Sequence, residues 1–167
     1  MSVKLIILDV DGTLTNGKIT YNNSGEEFKS FCVKDGLGIS GWRKLGGSVA
    51  IITGRESNIV EKRAKELRVN YLYQGIKDKR SIVEQIVKEL SIGWESVAAI
   101  GDDLNDLPML NLPLRSYAPD NANEYVKQKV DTILHTSGGE GAVREMIEDL
   151  LLIDGKIGEF RALWEQR

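Results

Sequence analysis

Apolar runs of strand length recur along the chain, at residues 4–8, 49–53, 71–73, 97–100, 114–117 and 132–134. Segments with a helical period separate them. Residues 78–90 place Ile82, Val83, Ile86, Val87 and Leu90 at i, i+1, i+4, i+5 and i+8, which is one helix face. Residues 57–67 carry the same stripe through Ile59, Val60, Ala64 and Leu67. Ser57 and Asp78 stand where N-caps belong. Strands alternating with helices predict an α/β fold, a doubly wound and mostly parallel sheet covered on both faces. Ligands of such sheets bind beyond the carboxyl ends of the strands.

One segment breaks the alternation. Within residues 17–33, two period-2 runs flank Asn22-Asn23-Ser24-Gly25, which predicts a β-hairpin. It follows the first strand directly, so it should project over the strand ends as a flap. No repeat, low-complexity tract or second-domain linker is visible, so one domain is expected over residues 1–167. The tail, residues 155–167, is mixed, with Trp164 among charges, and reads as a frayed end or a docking segment.

The polar residues test the strand-end rule. Asp9 and Asp11 follow the first strand, and Thr53-Gly54-Arg55 the second. Gln74-Gly75 follows the third, with Lys79 opening the next helix, and Gly101-Asp102-Asp103 follows the fourth. Four successive strands thus deliver polar groups to one edge, which is more than chance placement supplies. Asp9 and Asp11 are two residues apart, on the same side of an extended chain. Like charges so close need compensation, and a bound cation is one source. Asp102, Asp103 and Asp106 add carboxylates across the edge, an oxygen-rich set suited to magnesium; no His/Cys cluster for zinc exists.

Lys79 at a helix N-terminus reads either as part of a solvated basic turn or as half of an anion site. Beside the other strand ends, the anion site is favoured. Thr53 and Gly54 offer a hydroxyl and an approachable N–H for phosphate oxygens. Together these groups permit phosphoryl transfer. Asp9 attacks phosphorus and carries it as an aspartyl-phosphate. Asp11 gives a proton to the leaving oxygen and later takes one from water, help worth about 10²–10⁴-fold.

Bulk properties narrow the alternatives. A chain of 167 residues can bury a full core. A net charge of -3 argues against a nucleic-acid binder, and no apolar run approaches a membrane span. The lone Cys32 permits no internal disulfide, and the N-terminus lacks a signal-peptide pattern, which together fit the cytoplasm.

Asp-Val-Asp-Gly-Thr-Leu-Thr at 9–15, Thr53, Lys79 and Gly-Asp-Asp-Leu-Asn-Asp at 101–106 resemble the four motifs of the haloacid dehalogenase superfamily. The resemblance implies a Rossmann-like fold with magnesium held by the side chains of Asp9 and Asp102 and the backbone carbonyl of Asp11. Asp103 and Asp106 would support these ligands from behind. Residues 26–39, Ile52-Thr-Gly-Arg and residues 138–146 are further similar to the 3-deoxy-D-manno-octulosonate 8-phosphate (KDO 8-phosphate) phosphatases of lipopolysaccharide synthesis. That family has no cap domain and forms homotetramers in which hairpin flaps associate and a neighbour closes each site. It implies a substrate site of Asp11, Thr53, Gly54, Arg55, Arg63 and Lys79, with Arg63 reaching a neighbour's sugar carboxylate. Arg55 resembles the octulosonate enzymes, where a glutamate would resemble phosphatases of nine-carbon keto-acid 9-phosphates. Arg144 and the 138–141 loop match the family and also read simply as a helix start. Three alternatives stay open: the nine-carbon substrate, a signalling receiver domain, and a non-catalytic oligomerisation module of the same fold. Receivers carry their acidic pair after the first strand but the phosphorylated acid after a middle one. The presence of every motif acid and Lys79 argues against a degenerate module.

Overall fold

The computed structural model describes residues 2–165; Gln166 and Arg167, the end of the expected tail, lie outside the described residues. In chain order the elements are β1 (Leu5–Leu8), β2 (Thr20–Tyr21), β3 (Glu27–Phe28), α1 (Val33–Lys44), β4 (Ser48–Ile52), α2 (Asn58–Glu66), β5 (Tyr71–Tyr73) and α3 (Lys79–Glu89). There follow β6 (Val97–Ile100), α4 (Leu107–Leu110), β7 (Arg115–Ala118), α5 (Glu124–Lys127), β8 (Thr132–Ile133), α6 (Ala142–Ile153) and α7 (Ile157–Glu165). Six strands form one parallel sheet in the order β5-β4-β1-β6-β7-β8. The chain winds outward from β1 in both directions, which makes the end of β1 the switch point where α/β sheets open a crevice.

Alternation along β1 splits the core in two. Ile6 and Leu8 pack into the cluster with Ile39, Trp42 and Met146. Leu5 and Ile7 pack into the opposite cluster with Val83 and Ile86. All four β1 residues are buried, as a central parallel strand requires. The caps behave as the sequence indicates: Ser57 accepts the Ile59 N–H, and Asp78 accepts the Ser81 N–H.

Periodicity missed α1, and the reason is its packing. Its sequence holds Gly36, Gly38 and Gly41, poor helix formers whose lack of a side chain erases any apolar stripe. Those glycines are the contact face. A Cβ on Gly36 would meet Arg63 Nη2 at 2.5 Å, one on Gly38 would meet Arg144 Cδ at 3.0 Å, and one on Gly41 would meet the Phe160 ring at 2.2 Å. The tail docks on its own chain: α7 packs on α6 and α1 and buries Phe160, and Lys44 lies 4.2 Å from the Trp164 ring.

The hairpin forms where the turn residues place it, but its ladder is far shorter than its alternating runs. Only Thr20–Tyr21 and Glu27–Phe28 pair, antiparallel. Tyr21 and Phe28 are more than half exposed. A two-stranded ribbon whose apolar residues stay exposed cannot extend its own ladder profitably.

Candidate active site

Register assembles the site. Leu8 lies opposite Ile51 on β4 and Ile100 on β6, so the residues after these strands leave the sheet at one edge. Asp9, Thr53 and Asp102 emerge there. Asp9 and Thr53 are buried and Asp102 is partly so. Gly12 turns with φ +105°, and a Cβ on it would strike Asp102 Oδ2 at 2.0 Å, so only glycine lets this loop pass beneath Asp102. Thr13 Oγ1 donates to Asp102 Oδ1 at 3.3 Å. The 138–141 loop braces the same turn: Gly139 N–H donates to the Thr13 carbonyl at 3.1 Å. A Cβ on Gly138 would collide with the Gly12 carbonyl.

Lys79 is 1% exposed at the first turn of α3. Its ammonium donates to Asp9 Oδ1 and Asp106 Oδ1, both at 2.6 Å. Burial works against its charge, yet the carboxylates of Asp9 and Asp106 outweigh burial and hold the Lys79 pKa above its ordinary value. Asp106 uses its other oxygen to accept the N–H groups of Asp102 (2.9 Å) and Asp103 (3.2 Å). It therefore fixes both the lysine and the acidic loop. Asp103 turns outward and caps the Leu104 N–H at 2.8 Å.

The like-charge conflict sits elsewhere than the Asp9–Asp11 spacing suggests. Burial, then repulsion from Asp106, pushes the Asp9 pKa well above the usual carboxylate range, with Lys79 opposing. Burial and Asp106 raise Asp102 to about 6. Oxygens of Asp9, Asp102 and Asp106 all lie within 4.8 Å of one another. The one ammonium pairs with Asp9 and Asp106 and not with Asp102, which leaves an excess of negative charge in a largely buried, all-oxygen set. Such a donor set fits a hard divalent cation. Asp11 meets a different environment. Its Oδ1 accepts from Lys29 Nζ at 2.5 Å, and Arg55 Nε stands 4.0 Å from its Oδ2.

A cavity of about 210 Å³ opens at this edge, lined by Asp9, Asp11, Thr53, Gly54 and Arg55, with Asp103 and Asn105 on the far side. Of the residues singled out from sequence, Lys79 and Asp106 lie behind this cavity rather than in its wall. Arg63 is not brought to it within one chain. Its guanidinium lies 5.7 Å from the Phe31 ring, and its Nη1 is 3.4 Å from Glu66 Oε2. Arg144 is engaged in packing: its N–H donates to Asp35 Oδ1 at 2.8 Å, and its Nε to Glu148 at 2.7 Å.

The sequence reading missed Lys29, Glu27 and Tyr21. Arg55 Nη2 donates to Glu27 Oε1 at 3.1 Å and to the Tyr21 hydroxyl at 3.2 Å. Partial burial works against the Glu27 charge, but hydrogen bonds from Ser57, Lys29 and Arg55 hold its carboxyl below the usual range. The signal available in the sequence was the i, i+2 pair Glu27 and Lys29, which project to one side of an extended strand.

Residues 72–147 match the family model of haloacid dehalogenase-like hydrolases. The chain is 42% identical over 158 residues to the 3-deoxy-D-manno-octulosonate 8-phosphate phosphatase of Salmonella typhi, covering 95% of this chain and 84% of that protein. The crystal structure of the Moraxella catarrhalis phosphatase of the same name, in complex with magnesium, phosphate and KDO, superposes with a TM-score of 0.94 at 39% identity, covering 98% of this chain and 93% of that one. A cobalt-bound phosphatase of this type from Haemophilus influenzae gives a TM-score of 0.91 at 39% identity, over 95% and 93% of the two chains. With such identity over nearly its whole length, the chain belongs to the haloacid dehalogenase-like hydrolases, in the family of the 3-deoxy-D-manno-octulosonate 8-phosphate phosphatases.

Proposed function

We propose that this chain is a magnesium-dependent phosphatase that hydrolyses KDO 8-phosphate to KDO and phosphate. The observation that carries the reading is the cavity itself. A nucleophile-capable carboxylate, a second carboxylate, a threonine and an arginine line a space sized for a phosphate group and the first atoms of its ester.

Asp9 is the nucleophile. Lys79 orients its carboxylate from behind and holds one oxygen by a 2.6 Å hydrogen bond, leaving the other for attack on phosphorus. The Thr53 hydroxyl and the Gly54 N–H bind non-reacting phosphoryl oxygens. Asp11 protonates the leaving sugar oxygen and then takes the proton of the water that cleaves the aspartyl-phosphate. Asp9 and Asp102, with the Asp11 backbone carbonyl, would hold magnesium. When bound, that ion neutralises charge on the phosphoryl oxygens, and such electrostatic stabilisation does most of the work in phosphoryl transfer. Asp103 and Asp106 support this set, and Asp106 does so by fixing Lys79 and two backbone N–H groups.

Arg55, which lines the cavity, supports the choice of an octulosonate over a nine-carbon keto-acid by resemblance, because the octulosonate enzymes carry an arginine at this place where the nine-carbon type carries a glutamate. Comparing phosphate release from the two esters tests the choice. A preference for the nine-carbon ester would reverse it.

The chain acts as one hydrolase domain, with residues 17–33 as its flap and residues 155–167 as its tail, and it works in the cytoplasm as a homotetramer. Ile19, Tyr21 and Phe28 on the hairpin, with Val33 and Leu37 beside it, are exposed apolar residues that a second hairpin would cover. Arg63 would serve a neighbour's site in that assembly. A monomer mass by light scattering at assay concentration would overturn the tetramer.

A further inference from the structure

We propose that Lys29 is a positioning residue for the hydrolysis, a hairpin-borne cation that fixes the Asp11 carboxylate at the mouth of the phosphate cavity. The inference rests on the phosphatase reading above and assigns the hairpin a part in it.

Lys29 follows β3, the strand of a ribbon whose other side chains are largely exposed, yet its own side chain is 1% exposed. A buried ammonium is costly unless paired. Its partners are Asp11 Oδ1 at 2.5 Å and Glu27 Oε1 at 3.4 Å. Glu27 in turn accepts from Arg55, which stands near Asp11 Oδ2. Each oxygen of Asp11 thus faces its own cation, and Glu27 ties the two cations together. Among the described residues, no other side chain or backbone N–H donates to the Asp11 carboxylate. Asp9 differs, since the core residue Lys79 holds it.

Lys29 does not line the cavity. Its influence on the substrate therefore passes through Asp11. Asp11 must meet both the leaving oxygen and the attacking water, and an oriented carboxylate does so far more often than a freely rotating one. Because the orienting group belongs to the hairpin, Asp11 is set only while the hairpin lies over the strand ends.

The test is steady-state hydrolysis of p-nitrophenyl phosphate and KDO 8-phosphate in magnesium by full-length wild type, Lys29→Met, Lys29→Arg, Asp11→Asn and the Asp11→Asn/Lys29→Met double variant, each checked for folding by melting temperature. Lys29→Met should lower kcat about 10–100-fold on both esters, with KM changed less than about threefold. Lys29→Arg should recover most of the loss. The double variant should be no slower than Asp11→Asn alone, since Lys29 acts through that side chain. An unchanged kcat in Lys29→Met, an effect confined to KM, or losses that multiply in the double variant would each overturn the proposal. Should Lys29→Met not fold, Lys29→Gln, which keeps a polar side chain but removes the cation facing Asp11, must still lower kcat. Wild type that hydrolyses neither ester removes the phosphatase reading along with this one. Wild type that turns over beside fully active Lys29 variants removes this one alone.

Discussion

Asp9 and Asp106 sit at the rim of a six-stranded parallel sheet, 4% and 1% exposed, and share one buried lysine. The hairpin above them has two residues in each strand, exposes Tyr21 and Phe28, and reaches the site through Lys29 and Glu27. The first region is held by the core on both faces of the sheet. The second is held by ions. Residues that must be charged and immobile belong where neighbouring strands fix the backbone. A group that only orients another can ride on a ribbon that packing barely supports. The two regions should accordingly fail in different ways when altered.

The largest effect is expected in the rigid region. Asp9→Asn keeps the shape of the side chain and removes its nucleophilic charge. Phosphate release should fall at least about 10³-fold while the melting temperature stays near or above that of wild type, because a buried carboxylate with a raised pKa has been neutralised. Appreciable residual turnover would exclude Asp9 as the nucleophile.

Asp106→Ala should instead be a stability lesion. It strips Lys79 of a partner and the Asp102 and Asp103 N–H groups of their acceptor. Breaking a buried ion pair on one side costs about 3–5 kcal/mol. Urea unfolding reads this directly, and a loss below about 1 kcal/mol would show that the network is not what holds the acidic loop.

The pH dependence of the metal-free protein follows from the signs of the raised carboxylates. Asp9 lies well above its ordinary value and Asp102 near 6, so the folded state binds protons more tightly than the unfolded one. The Asp102 contribution is full below the ordinary carboxylate range and is lost as pH rises through about 6, and the raised Asp9 adds a loss of the same sign. The metal-free protein should melt lower at pH 7.5 than at pH 5. Magnesium at about 100 times its dissociation constant should restore about 5–10 °C at pH 7.5 and much less at pH 5. Melting scans at the two pH values, with and without magnesium, check both statements. Equal shifts at both would contradict the assignment of the excess charge to this cluster.

The smallest effect lies away from both regions. Asp35 on α1 caps the start of α6 through the Arg144 N–H, where Gly141 has no side chain to do so. Burial raises it to about 6, against the help of that hydrogen bond and of Arg63, and its Oδ2 has no partner. Asp35→Asn should stabilise by about 1–3 kcal/mol at pH 8 and by nothing at pH 4, where the carboxyl is already protonated. Denaturation midpoints at the two pH values decide it.

What could be read in the sequence divides along the same line. Asp9, Asp11, Thr53 and Asp102 were legible because each follows an apolar run, and parallel register turns such positions into one edge. The caps Ser57 and Asp78 were legible because capping is local chemistry. Helix α1 was not, since the glycines that let it approach α6 and α7 are the residues that hide a helix. Lys29 was not, because its partner lies 18 residues away across an irregular loop and no spacing rule connects them. The site of greatest repulsion was misplaced for a related reason. Spacing showed Asp9 beside Asp11, whereas only the folded chain shows Asp106 beneath Asp9 and Lys29 beside Asp11.

The central claim, that this edge of the sheet hydrolyses KDO 8-phosphate, meets its most direct test in phosphate release from that ester in magnesium, measured beside a nine-carbon keto-acid 9-phosphate under the same conditions. Turnover should depend on magnesium, with the higher kcat/KM for KDO 8-phosphate. No release from KDO 8-phosphate, or a higher kcat/KM for the nine-carbon ester, would contradict it.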